Sequence, residues 1–172
     1  MRWRSVAALG LCLVLNAAGA GASSEIPRAV TLAGNEIEAT NDLGARSLLV
    51  VSFHRVANGG AREWRRVLDD DPRVESWSVY TVVVLEGAPG FVRRMVVRAL
   101  RGDVPAARQD SFLVVEEGAD AWRELAGSDG QDENQAEAVF VVRLEDGGIC
   151  ARYRGLASGV ALADLLGASC EG

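Results

Sequence analysis

Three cysteines, a single histidine and a cluster of arginines on one segment are the side chains of this sequence whose chemistry could build a site. Cys150 and Cys170 bracket a strand-like stretch and a helix-like stretch near the C-terminus. A strand running out about 20 Å and a helix returning about 14 Å can bring the two sulfurs together. A disulfide closing that loop contributes about 3 kcal/mol in the chain-entropy model. Side-chain alternation speaks against it, because in a regular strand Cys150 shares a face with Arg152 and Arg154 and opposes Ile149 and Tyr153. A structural disulfide, two free thiols and a catalytic thiol pair all stay open. His54 stands where an apolar run gives way to a loop, with Arg55 beside it. Ligands of open parallel sheets bind beyond the carboxyl ends of the strands, which makes His54 and Arg55 candidate binding residues. A general base would also need a nucleophile and an orienting acid. Ser52, on the same strand face, reads as a core hydroxyl. Arg93, Arg94, Arg98 and Arg101 fall within about 140° of one helical face at 100° per residue. That face either balances nearby acids or forms a docking stripe. In the second case Arg94, Arg98 and Arg101 would meet an acidic protein partner or anionic lipid headgroups.

Several function classes are excluded by composition. All 18 basic residues are arginine and face 24 acids, a net charge of −6. The resulting pI near 4.9 argues against nucleic-acid binding. One histidine and three cysteines argue against a zinc site. Asp129, Asp132 and Glu133 do not have EF-hand spacing. Asp69-Asp70-Asp71 reads as loop, since acids oppose the dipole at a helix end. There is no Walker loop, and no GxGxxG with a downstream acid, so neither metal nor cofactor is expected. A chain of 172 residues that is 49% hydrophobic suits one folded domain.

The first residues read as a processing signal. Arg2 and Arg4 precede the apolar run Val6 to Leu15, and Ala20-Gly21-Ala22 offers a small-x-small cleavage site. An apolar core of ten residues is short for a bilayer span, which needs about 20. An uncleaved N-terminal anchor is the alternative. Cys12 follows Leu11, a poor lipidation context. Residues 1–22 are therefore expected to be a signal peptide and residues 23–172 a single exported domain, periplasmic or extracellular. Its sixteen arginines and 24 acids would give a net charge of −8.

The elements that would position these residues alternate. Ala29 to Leu32 and Glu36 to Ala39 read as a hairpin around Ala33-Gly34-Asn35. Ser47 to Phe53 and Val79 to Leu85 are continuous apolar runs that suit strands buried on both faces. Gly59-Gly60 is expected to break the chain before a helix over Ala61 to Asp70, with Trp64, Val67 and Leu68 inward. Pro89 can open a helix over Phe91 to Arg101 that Gly102 closes, with Phe91, Val92, Met95, Val96, Ala99 and Leu100 filling the surface outside the arginine face. Ser111 to Val115 reads as a strand, Ala119 to Ala126 as a helix and Gly127 to Gln135 as an exposed acidic loop. Glu145-Asp146-Gly147-Gly148 turns a hairpin between Ala138–Leu144 and Ile149–Tyr153. Ser158 caps a last helix that turns Val160, Ala161, Leu162, Leu165 and Leu166 inward and ends at Gly167. The predicted fold class is α/β, one mixed sheet with helices on both faces.

This arrangement resembles the thioredoxin-like superfamily, in its exported branch related to TlpA-type thiol-disulfide proteins and peroxiredoxins. The resemblance rests on three segments in order: Ala29 to Ile37, the strand Leu48 to Phe53 with its following helix, and Val141 to Gly155. It implies a thioredoxin-like mixed sheet with an N-terminal β-hairpin. A narrower similarity is to the thioredoxin-like family of mitochondrial ATP-synthase assembly factors and their bacterial relatives, carried by Arg94-Met95, by Arg101-Gly102-Asp103-Val104-Pro105 to Arg108, and by Trp64. Redox members of the superfamily carry Cys-x-x-Cys after the first central strand, where this chain has His54-Arg55-Val56-Ala57-Asn58-Gly59-Gly60. Their proline before the late strand aligns with Ala138. The resemblance thus implies the fold and argues against dithiol chemistry. The expected function is that of a non-redox protein-binding, assembly or chaperone-like factor. An oxidoreductase using Cys150 and Cys170, and a small-ligand carrier using the loop around His54, are the alternatives.

Overall fold

Alternating polarity in the first described segment folds it into a hairpin of β1 (Arg28–Thr31) and β2 (Glu36–Glu38), paired so that Arg28 faces Glu38. The structure, a computed structural model, describes residues 27–39, 41–128 and 137–170. The expected signal segment and the acids Asp129, Asp132 and Glu133 lie outside these residues. The apolar run becomes β3 (Arg46–Ser52), in which every residue but Arg46 is buried. Then follow a 3-10 turn (Arg55–Ala57), α1 (Asn58–Asp70), β4 (Ser78–Val84), α2 (Gly90–Asp103) and β5 (Phe112–Val115). The chain closes with α3 (Ala119–Ala126), β6 (Val139–Glu145), β7 (Gly148–Arg154) and α4 (Gly159–Gly167). Asp146 and Gly147 both take positive φ, 50° and 80°, as a two-residue hairpin turn of this type requires.

The sheet order is β2-β1-β5-β4-β3-β6-β7. β3, β4 and β5 are parallel, while β6 runs antiparallel to β3 and the N-terminal hairpin joins β5 through β1. Alternate residues of the central strands feed two cores. Leu49, Val51, Phe140 and Val142 pack with Trp122 and Leu125 of α3. Leu48, Val50, Val139 and Val141 pack with Trp64 and Leu68 of α1 and with Leu162 and Leu165 of α4. Both fully buried indoles have a partner for their single donor. Trp64 Nε1 donates to Gly155 O at 2.9 Å and Trp122 Nε1 to Arg28 O at 2.8 Å.

The helices depart from sequence expectation at their ends. Gly59 and Gly60 do not break the chain but form the first turn of α1. A Cβ on Gly60 would come 2.8 Å from Val139 Cγ2, so this glycine lets the helix start close against β6. Gly102 does not end α2, which runs to Asp103. Asp69 and Asp70 belong to α1, where Arg65 and Arg66 four residues earlier compensate the unfavourable dipole. Asp71 caps the following 3-10 turn by accepting from Arg73 N; the Arg73 guanidinium and this backbone bond hold its carboxyl down at about 2. Ser158 caps α4 as expected, accepting from Ala161 N, but Val160 faces solvent.

Cys150 and Cys170 form a disulfide. The alternation argument against it fails because the hairpin is irregular. Arg143 pairs with Ala151 but Leu144 with Ile149, leaving Cys150 as an extra residue in a bulge. Ile149 therefore packs against the α3 side, while Ala151 and Tyr153 pack against the α1–α4 side. The bulge turns Cys150 towards the end of α4. Arg143 completes this corner from a buried position on β6. Its Nη1 donates to the carbonyls of Leu165, Leu166 and Ala168 at 3.1, 3.0 and 2.7 Å, and its Nε donates to Glu145 Oε1 at 3.0 Å. It caps the C-terminus of α4, where a cation meets the negative end of the helix dipole.

Replacement of Arg143 by Met should cost about 2–4 kcal/mol in denaturant unfolding, because three carbonyls lose their donor and Glu145 its cation. Reduction of the disulfide, or Cys150→Ser with Cys170→Ser, should cost about 3 kcal/mol in the same measurement. The two α1 glycines should respond in opposite directions. Nothing lies within 4 Å of a Cβ on Gly59, so Gly59→Ala should stabilise by about 0.5–1 kcal/mol, whereas Gly60→Ala should destabilise.

Candidate functional site

The end of β3 and the start of α1 are the place where this fold could carry chemistry. Ser52 ends the strand, buried, with its hydroxyl donating to Val82 O at 3.4 Å; it is the core hydroxyl expected. The Phe53 ring meets Phe140 edge-on at 5.5 Å, and the Arg123 guanidinium lies 5.7 Å from its centroid. His54 continues the extended backbone, and its carbonyl accepts from Ala57 N at 3.0 Å, which turns the chain into the 3-10 segment. The side chains of His54, Arg55 and Val56 are exposed, while Ala57 is buried. Ser52 pairs with Val139 across β3 and β6, and Gly60 abuts Val139. The loop 54–60 and Ala138 thus meet at one end of the sheet.

None of these positions carries a thiol. Among the described residues no carboxylate bonds to His54, and no nucleophile is held against it. Among the described residues the two cysteines are elsewhere. Cys150 lies beside Leu144, opposite Ser47 at the start of β3, so the length of that strand, about 20 Å, separates the disulfide from this loop. Glu145 Oε and the two sulfurs lie within 4.8 Å of one another, but both sulfurs are bonded to each other and not available as metal ligands.

The arginine stripe divides into two pairs. Arg101 Nε donates to Leu32 O at 2.8 Å, which ties α2 to the N-terminal hairpin. Arg93 Nη1 donates to Glu116 O at 3.2 Å and stands 3.8 Å from the Glu116 carboxylate. Arg94 and Arg98 are exposed and form no ion pair among the described residues. Beside them stand Phe91, 67% exposed, and Met95, 62% exposed. Of the residues that fill the helix outside the arginine face, these two are exposed while Val92, Val96 and Leu100 are half-buried. The helical wheel contains the signal: at 100° per residue Phe91 and Met95 lie about 40° apart and within about 60° of Arg98, but about 100° or more from Val96 and Leu100. The outer face of α2 is therefore mixed, two large apolar side chains and two unpaired guanidiniums.

Neither a protein-family model nor a curated protein matches the chain. Solved structures do. The exposed lipoprotein thioredoxin Etrx1 of Streptococcus pneumoniae is 11% identical over 83% of this chain and 98% of its own, with a TM-score of 0.52. The N-terminal domain of PilB from Neisseria gonorrhoeae is 12% identical over 81% of this chain and 87% of its own, TM-score 0.52. StoA of Bacillus subtilis is 14% identical over 83% and 97%, TM-score 0.50. At such identities the likeness speaks for the backbone alone, and with the strand order and the α1–β6 corner it leads to one conclusion: the chain has the thioredoxin-like fold.

Proposed function

We propose that this chain is an exported, non-redox thioredoxin-like protein that binds another protein, as an assembly or chaperone-like factor, through the outer face of α2. The observation that carries the reading is the exposure of Phe91 and Met95 beside Arg94 and Arg98 on one helical face. Large apolar side chains among unpaired guanidiniums are the composition that protein interfaces favour. On a chain with excess acid, this local positive charge suits an acidic partner. Supporting it, the α1 corner holds no cysteine. The similarity of Arg94 to Arg108 and of Trp64 to the assembly-factor family is in line with such a role. Export is supported by the charge and apolar pattern of residues 1–22 and by the disulfide, which persists in oxidising compartments. Among the described residues no helix is long and apolar enough to cross a membrane.

A second reading, a thiol oxidoreductase, has one observation in its favour. Cys170 is exposed, and Arg143 Nη2 lies 3.8 Å from its sulfur, where a cation would stabilise a thiolate. Insulin-reduction turnover separates the readings. Wild type should run at the background rate and Cys150→Ser should change nothing; turnover that Cys150→Ser abolishes would establish the oxidoreductase instead. For the docking face, native complexes retained by wild type should be compared with those retained by Arg94→Glu/Arg98→Glu and by Phe91→Ser/Met95→Ser. Each double variant should keep the wild-type circular dichroism and lose about tenfold or more of the same partner. Equal retention by both would remove α2 from the interface. Loss of binding to anionic vesicles alone would make the face a lipid contact.

A further inference from the structure

The inner side of α2 poses a separate problem. Val96 and Leu100 line a cleft over the sheet, yet no residue of the helix is buried and none joins either core. Close-packed interiors do not leave such a row unfilled without cause. Beneath the helix lies a cleft of about 420 Å³, bounded by α1, α2 and the strands β3, β4 and β5. That volume falls within the roughly 300–1,000 Å³ of small-molecule sites. Polar struts hold its roof in place. Arg101 and Arg93 tie α2 to the carbonyls of Leu32 and Glu116, and Gln109 Nε2 donates to Arg101 O and Val104 O at 3.2 Å.

The lining is apolar inside and cationic at the rim. Val83, Val96, Leu100 and Phe112 supply hydrocarbon and are half-buried. Arg62, Arg65 and Arg108 supply charge, against Asp103 alone among the lining acids. Arg65 and Arg108 share the Asp69 carboxylate, at 3.0 and 3.1 Å, so one anion serves two guanidiniums. Burial pushes Arg65 down; Asp69 opposes this, and the like charge of Arg108 adds to it. Arg62 is exposed and has no ion pair among the described residues. The rim therefore carries uncompensated positive charge on an acidic protein. An organic anion supplies what both parts lack, and a planar carboxylate matches the guanidinium fork.

We infer that the cleft between α1 and α2 binds an amphiphilic carboxylate, its headgroup at Arg62 and Arg108 and its hydrocarbon against Val83, Val96, Leu100 and Phe112. The site is distinct from the outer face of α2 and does not depend on the docking proposed above. Titration calorimetry and thermal shift with decanoate, below its micellar concentration, test it on the full chain. Decanoate should bind saturably at one site and raise the melting temperature. Decanol should bind about tenfold or more weakly, and acetate not at all. Arg62→Gln/Arg108→Gln, both at exposed positions, should weaken decanoate about tenfold and leave decanol unchanged. Val96→Trp should abolish both by filling the cleft, whereas Arg94→Glu/Arg98→Glu should bind like wild type. Absence of saturable decanoate binding, or equal binding by the Arg62/Arg108 variant, would overturn the assignment.

Discussion

Everything else hangs on β3. Six of its seven residues are buried, and it is paired along both edges, parallel to β4 and antiparallel to β6. Its backbone groups are satisfied in the two ladders, so its side chains can all be apolar or small without leaving an orphaned polar group. Leu48 and Val50 point to the α1–α4 core, and Leu49 and Val51 to the α3 core. A slip of one residue would exchange the two sets and place the wrong volumes in both cores. The same register sets Ser52 opposite Val139. The strand end, the loop 54–60 and Ala138 are then brought together whatever residues occupy them. The meeting of strand end, loop and Ala138 is thus a consequence of strand pairing and does not depend on the side chains placed there.

A second constraint closes the C-terminal side. A buried arginine in a sheet is costly unless every donor is used. Arg143 uses its donors on three carbonyls at the end of α4 and on Glu145, and its guanidinium also lies 5.5 Å from the Trp77 ring. These bonds fix where α4 ends, and the bulge at Cys150 fixes the sulfur that faces it. Helix cap, bulge and disulfide act on one corner, and their contributions will not be additive because they share the position of residues 165–170.

The strands were the most legible part of the sequence. The runs at Leu48–Val51 and Val79–Val84 and the Asp146-Gly147 turn are local signals for the ladder, but burial on both faces holds for the first run only, since Val82 alone of β4 is fully buried. The helix ends were less so. Gly60 reads as a breaker in sequence but faces Val139, a contact between residues far apart in the chain. The pairing of Cys150 was obscured for a related reason: strict alternation holds only in a regular ladder, and nothing within residues 148–154 announces the bulge. Of the candidate site residues, His54 and Arg55 stand at the strand end as placed. Arg101, a docking candidate with Arg94 and Arg98, also anchors α2, and its acceptor, Leu32 O, belongs to a hairpin distant in the chain. Phe91 and Met95 could have been found by completing the helical wheel.

α2 differs from the other helices in what holds it. α1, α3 and α4 each contribute buried side chains to a core, and their positions follow from packing. α2 contributes none and is held by hydrogen bonds from Arg93, Arg101 and Gln109. Such bonds each yield only about 1 kcal/mol net, much less than the burial of a Leu or Phe side chain can. With its inner apolar residues only half-buried, α2 owes more of its placement to these bonds than the other helices do. Its outer face presents Phe91, Met95 and two arginines without an ion pair among the described residues, and its inner face roofs a cleft with an arginine rim. The polar struts of α2 hold the helix off the sheet, so that one face meets solvent while the other covers the cleft.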